Sequence, residues 1–202
     1  MYILLYPAEE DAALYYNNRK RIDNVENVFQ PRKKHSAFTW DGLGDIEKGR
    51  GDLGAEAPVL VYRLMQYTLL DVLSREFGEE TADRYFREAG FLAGSEFAQN
   101  VLDLKADFDA FLAGLQVSLR ELKIGVLRME AYDAATGDIT LTVEQDLDCS
   151  GLPVTNETVC FYDEGFLSGV LREYTGKKYD VREVDCWASG ARACRFKGRV
   201  AG

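Results

Sequence analysis

The chain has 202 residues, with 24 basic and 34 acidic side chains and a formal charge of −10 at neutral pH. That length fits one domain, or one domain with an added arm, and 47% hydrophobic residues supply a core, which excludes disordered and fibrous classes. The acidic balance argues against a general nucleic-acid binder, whose affinity rests on Lys and Arg against phosphates, and no apolar run reaches the roughly 18–20 residues of a membrane span.

Met1 to Pro7 is apolar but short and has no basic flank, so it does not read as a secretory leader and the expectation is a soluble, cytoplasmic protein. Residues 1–50 read as an N-terminal arm and lead-in, and residues 51–202 as the main domain. Residues 8–21 have helical character, with Leu14 and Tyr15 on the apolar side. Pro31-Arg32-Lys33-Lys34-His35 is a short basic stretch, read as a solvated turn. Five glycines between Asp41 and Gly54 predict a loop. Its Gly42-Leu43-Gly44 is no dinucleotide fingerprint, because no strand precedes it and the third glycine is missing at the required spacing.

A helical block follows. Pro58 suits a first helical turn, and Val61, Leu64, Met65, Thr68, Leu69, Val72 and Leu73 then recur at helical spacing up to a stop at Gly78. A second helix begins near Thr81, with Ala82, Tyr85, Phe86, Ala89, Ala93, Phe97 and Val101 on one face. Gly90 and Gly94 inside it cost about 1 kcal/mol each against alanine, which implies close approach of a neighbouring helix or of a ligand. A third helix over residues 105–122 turns Phe108, Phe111, Leu112, Leu115 and Leu119 inward.

The period then changes. Residues 126–132 and 139–147 read as strands of one hairpin, residues 155–174 as a helix with Gly165 and Gly169 four apart, and residues 180–187 and 192–200 as a last hairpin turning at Ser189-Gly190-Ala191. The sum is an α+β fold, a helical half followed by β-β-α-β-β with one antiparallel sheet.

All four cysteines lie between Cys149 and Cys194. In a reducing compartment such a cluster points to metal or redox chemistry before disulfides. Cys186 and Cys194 each stand four residues from Gly190, so a chain reversal there sets the two thiols face to face. Cys160 sits at a helix start, where the dipole favours a thiolate. Three soft ligands converging in this way make a zinc site, which needs a fourth. Cys149, Glu183 and Asp185 are the candidates; the two acids lie at the wrong parity of an ideal strand and need a bulge to reach the site. Two disulfides, or four inert buried thiols, are the other readings.

The runs Val159-Cys160-Phe161-Tyr162-Asp163-Glu164-Gly165-Phe166-Leu167-Ser168-Gly169 and Glu183-Val184-Asp185-Cys186-Trp187-Ala188-Ser189-Gly190-Ala191-Arg192-Ala193-Cys194-Arg195-Phe196 resemble the 4-vinyl-reductase-like (hydrocarbon-binding) domain, a family related to the sensor domains of phenol- and xylene-responsive activators. The resemblance extends more loosely back to about residue 50. It implies a ligand-binding fold shared with nitric-oxide-signalling and Golgi-transport proteins, a dimer formed through helices, and a structural zinc held by three cysteines and a glutamate. Carried onto this chain, that pattern falls on Cys160, Glu183, Cys186 and Cys194, with Cys149 as the alternative fourth ligand.

The functional expectation is a zinc-containing, sensor-like domain for a hydrophobic or aromatic small molecule, working as a homodimer, with Phe86, Gly90, Phe97, Phe166, Val170 and Tyr174 as candidate pocket residues. The only histidine, His35, lies in the unmatched arm, whereas the phenol sensors hold the phenolic hydroxyl with a histidine and a tryptophan, so phenol itself is not the expected ligand. The family name raises a second reading, a vinyl reductase or tetrapyrrole-handling accessory protein. Spacing singles out no catalytic residue and no hydride source for it, and binding is preferred to catalysis. A dimeric scaffold without ligand is the third reading.

Overall fold

The computed structural model describes residues 38–201; the expected helix over residues 8–21, the basic stretch and His35 lie outside them. The glycine-rich stretch carries more structure than a bare loop. A 3-10 turn, Trp40–Leu43, and one α turn, α1 (Ile46–Gly49), interrupt it, the latter capped by Asp45, which accepts from the Lys48 amide. Trp40 anchors this lead-in: its amide donates to Glu96 and its ring meets Phe97 edge-on.

Helices α2 (Val59–Phe77) and α3 (Glu79–Val101) are separated by Gly78 alone, whose φ of 85° serves as both the stop of one and the start of the other. Helix α4 (Phe108–Glu121) is capped by Asp107 and buries Phe111, Leu112, Leu115 and Leu119, the expected inward face. Strands β1 (Val126–Tyr132) and β2 (Ile139–Glu144) form the first hairpin, and β3 (Tyr179–Asp185) and β4 (Cys194–Val200) the last. The sheet is antiparallel throughout in the order β1-β2-β4-β3, so the two hairpins join through β2 and β4. Between them runs α5 (Phe161–Thr175). The core lies where α4 packs on β1 and α5 on β3, with Phe111, Leu115, Leu141, Val170 and Phe196 fully enclosed.

Two differences from the sequence reading matter for the site. Helix α5 starts six residues later than expected, because the preceding segment is held by the last hairpin: the amides of Thr155 and Asn156 both donate to Ala188 O. Its first residue thus follows directly on Cys160, which occupies the cap position.

The second concerns the glycines. A Cβ on Gly90 or Gly94 would stand 2.0 Å from the carbonyl oxygen of Tyr162 or Phe166, and one on Gly165 2.0 Å from that of Arg87. Helices α3 and α5 therefore meet backbone to backbone. The four glycines, Gly169 among them, serve helix contact rather than a ligand.

Candidate metal centre and ligand cavity

Three chain segments bring the thiols together. The turn after β2 delivers Cys149: Asp146 Oδ1 accepts from the amides of Asp148 and Cys149 at 2.8 and 3.1 Å, and the Leu147 amide donates to Ile124 O. The α5 cap delivers Cys160. The last hairpin delivers Cys186 and Cys194, closed by the Ser189 and Ala191 amides on Cys186 O and by Gly190 at φ 95°. Cys194 is further fixed by pairing with Val143 of β2.

The four Sγ atoms lie within 4.8 Å of one another, and all four cysteines are free and buried. Cys160 Sγ is 3.8 Å from the sulfurs of both Cys186 and Cys194, and Cys149 Sγ is 3.1 Å from that of Cys194. Four thiolates at zinc–sulfur distances of about 2.3 Å in a tetrahedron stand about 3.8 Å apart. Two of the three separations thus have the spacing of a tetrahedral shell, and the third needs only to open by about 0.7 Å. The donor set fits a zinc ion.

Glu183 stands beside this group rather than in it. A bulge falls between Glu183 and Asp185, where an ideal strand would have turned the acid away. Its Oε2 accepts from the Cys160 amide at 3.0 Å, its own amide donates to Glu164 Oε1 at 2.8 Å, and its Oε1 has no hydrogen-bond partner among the described residues. Asp185, the other acid considered, pairs instead with Arg195. The residues brought together as a compact set are therefore Cys149, Cys160, Cys186 and Cys194, with the Glu183 carboxylate next to them.

Burial shapes the electrostatics. It pushes the Glu183 carboxyl up to about 8, with the neighbouring Cys186 adding to the effect, and Asp146 up to about 6, reinforced by Asp148. Asp163, wholly buried beside Asp146 and Asp148, is raised well above the usual carboxylate range. Among the thiols, hydrogen bonds from its three neighbours push Cys186 down toward thiolate, while Cys160 is held up by the same contacts. So many acidic groups in a dry interior repel one another, and a bound cation would reverse that balance.

Helix α2 holds the Cys149 turn. Tyr62 Oη and Gln66 Nε2 each donate to Asp148 at 2.7 Å, Tyr67 Oη donates to Asp148 O at 2.9 Å, and the Arg63 guanidinium donates to Leu147 O and Ser150 O. Next to this clamp lies a cavity of about 370 Å³. Tyr62, Met65, Gln66, Leu69 and Leu73 of α2 line it, with Tyr85, Phe86 and Ala89 of α3 and Tyr162 of α5. A larger hollow of about 710 Å³ near Trp187 is lined by charges of both signs, among them Arg63, Lys123, Glu144 and Asp146.

Of the six residues expected at a pocket, Phe86 alone lines this cavity. Phe97 packs on Phe166 with ring centroids 5.3 Å apart, Tyr174 stacks on Phe111 at 3.9 Å, and Val170 is completely enclosed. Those four are core, and Gly90 is helix contact. The sequence reading passed over Tyr62, Gln66 and Asp148. The spacing of Tyr62 and Gln66, one helical turn apart, and the acids directly before Cys149 were the signals available.

A helical half, a four-stranded antiparallel sheet and a buried thiol cluster joining helix cap, turn and hairpin define an α+β domain of the kind the two motifs resemble. Residues 139–200, from β2 to β4, match the vinyl-4-reductase domain, so this part of the chain carries that domain. An uncharacterized protein of Methanocaldococcus jannaschii is 30% identical over 81 residues, 40% of this chain and 48% of that protein; the chain spans about half the length of such relatives. Among solved structures, the phenol-responsive sensory domain of the transcription activator PoxR, determined with phenol, superposes with a TM-score of 0.57 at 17% identity, covering 73% of this chain and 76% of that one. A vinyl-4-reductase family protein from Methanocaldococcus jannaschii gives 0.56 at 17% identity, covering 83% of this chain and all of that one. A trafficking protein particle complex subunit 3 from Naegleria fowleri has the same fold, with a TM-score of 0.54 at 9% identity over 72% of this chain and 98% of that one.

Proposed function

We propose that the chain is a sensor-like domain that takes a small hydrophobic or aromatic molecule in the cavity between α2, α3 and the start of α5. The observation that carries this reading is the cavity itself: about 370 Å³, within the range of small-molecule sites, walled by aromatic and aliphatic side chains with few polar groups. The likeness to the PoxR sensory domain, solved with phenol, supports the same reading. A thermal-shift panel of small hydrophobic compounds tests it. Stabilisation by some members, abolished by Phe86→Trp filling the cavity, is the expected result; no stabilisation across the panel contradicts it.

Zinc on Cys149, Cys160, Cys186 and Cys194 completes the proposal. Four protein thiolates fill a tetrahedral shell and leave no position for water or substrate, so the ion is structural. It would pin the Cys149 turn, the α5 cap and the last hairpin to one another. Glu183, hydrogen-bonded to the Cys160 amide, positions the helix cap next to the ion.

The homodimer is proposed through α2. Val61, Leu64, Met65, Leu69 and Val72 leave 45–64% of their surface exposed, a continuous apolar stripe of the kind that marks association surfaces.

A further inference from the structure

Gln66 is the one buried residue of α2, 6% exposed on a helix whose apolar side chains face outward. Its Nε2 donates to Asp148 Oδ2, and Tyr62 Oη donates to Asp148 Oδ1, each at 2.7 Å. Every oxygen of that carboxylate thus takes one donor. This fixes the amide, because the reversed orientation would set two acceptors against each other. Oε1 is consequently left on the side away from Asp148, buried and without a hydrogen-bond partner among the described residues. A buried carbonyl with no donor costs about 1–3 kcal/mol. Neither helix nor cavity demands that cost, since Leu or Met has similar volume and better helix propensity. The cavity wall otherwise offers apolar surface and phenol groups, and no charged side chain lines it.

We infer that Gln66 Oε1 is the recognition group of this cavity, and that its ligand is an uncharged, largely apolar molecule presenting one hydrogen-bond donor, a hydroxyl or an N–H, to that oxygen. The inference rests on the cavity being a small-molecule site, as proposed above. It adds the polarity such a molecule must carry. Asp148 is the positioning residue: by holding Nε2 it aims the acceptor and makes it unavailable to anything but a ligand donor. Rejection of a molecule lacking the donor follows, because filling the cavity then seals Oε1 unpaired.

Indole, indene and benzofuran test this on the native chain, since the three share one rigid shape and differ in presenting N–H, CH2 or an acceptor oxygen at the same position. Titration by calorimetry or NMR is expected to show indole binding at least tenfold more tightly than either of the others. Gln66→Met is expected to reduce that ratio to about one. Equal binding of all three to the native chain overturns the donor requirement and leaves the cavity as a plain apolar site. A ratio that persists in Gln66→Met assigns the recognition elsewhere and overturns it too. Binding of none overturns the cavity reading and this inference together. The native-chain comparison needs no variant to fold, so it decides by itself.

Discussion

Asp148 is the residue on which the helical half and the thiol cluster meet. It follows the Asx turn that aims Cys149, and it takes donors from two α2 side chains through its carboxylate and a third through its carbonyl. Tyr62→Phe removes one of those donors and leaves a carboxylate oxygen short of a partner in a nearly dry setting. The expected cost is about 1–3 kcal/mol in chemical denaturation, with the fold retained. The glycines of the α3–α5 contact are less forgiving. Alanine at Gly94 places a Cβ against Phe166 backbone atoms, which cannot move as a side-chain tip could. Gly94→Ala is therefore expected to destabilise by about 2–3 kcal/mol, whereas Gly114→Ala, on α4 with nothing near its Cβ, should be neutral or slightly stabilising. Denaturation midpoints of the two variants check the contrast.

At the scale of elements, periodicity located α2 but could not tell which of its faces points inward. The stripe Val61, Leu64, Met65, Leu69 and Val72 is exposed, and the opposite face, with Tyr62, Arg63, Gln66 and Tyr67, is turned to the body of the molecule. The polar face wins because the Cys149 turn offers it five hydrogen-bond acceptors at once, a tertiary property with no local signature. Strands were legible almost to the residue, since alternation in β3 and β4 is burial alternation. The hairpin cysteines were legible for the same reason, both lying four residues from the reversing glycine. Cys149 was not, because its place depends on a turn held by Asp146 and by a helix some eighty residues earlier in the chain. Nor did spacing show that the bulge at Glu183 would bring that acid to the Cys160 amide. If the outward stripe is the dimer face, Leu64→Glu, at an exposed position, leaves stability unchanged and converts dimer to monomer in light scattering. A native chain already monomeric at high concentration contradicts that assignment.

At the scale of the molecule, the thiol cluster ties segments that share no other covalent or sheet connection: the turn after β2, the cap of α5 and the tip of the last hairpin. Structural zinc binding is coupled to folding, so removing one thiolate does more than delete a contact. Cys186→Ser is expected to lose the ion and to unfold at much lower denaturant than the native chain. Glu183→Gln, which keeps an acceptor for the Cys160 amide, should retain the metal with a modest loss of stability; loss of the metal in that variant would move Glu183 into the coordination shell. Because α2 grips the Cys149 turn, chelation should also loosen the cavity wall, seen as faster amide exchange along α2.

Metal analysis of the native protein, purified without chelator, bears most directly on the four-thiol centre. About one zinc ion per chain, with the thiols shielded from reagent until the ion is withdrawn, is the predicted result. Protein that is folded and metal-free, with four thiols titrating on mild opening, would contradict it.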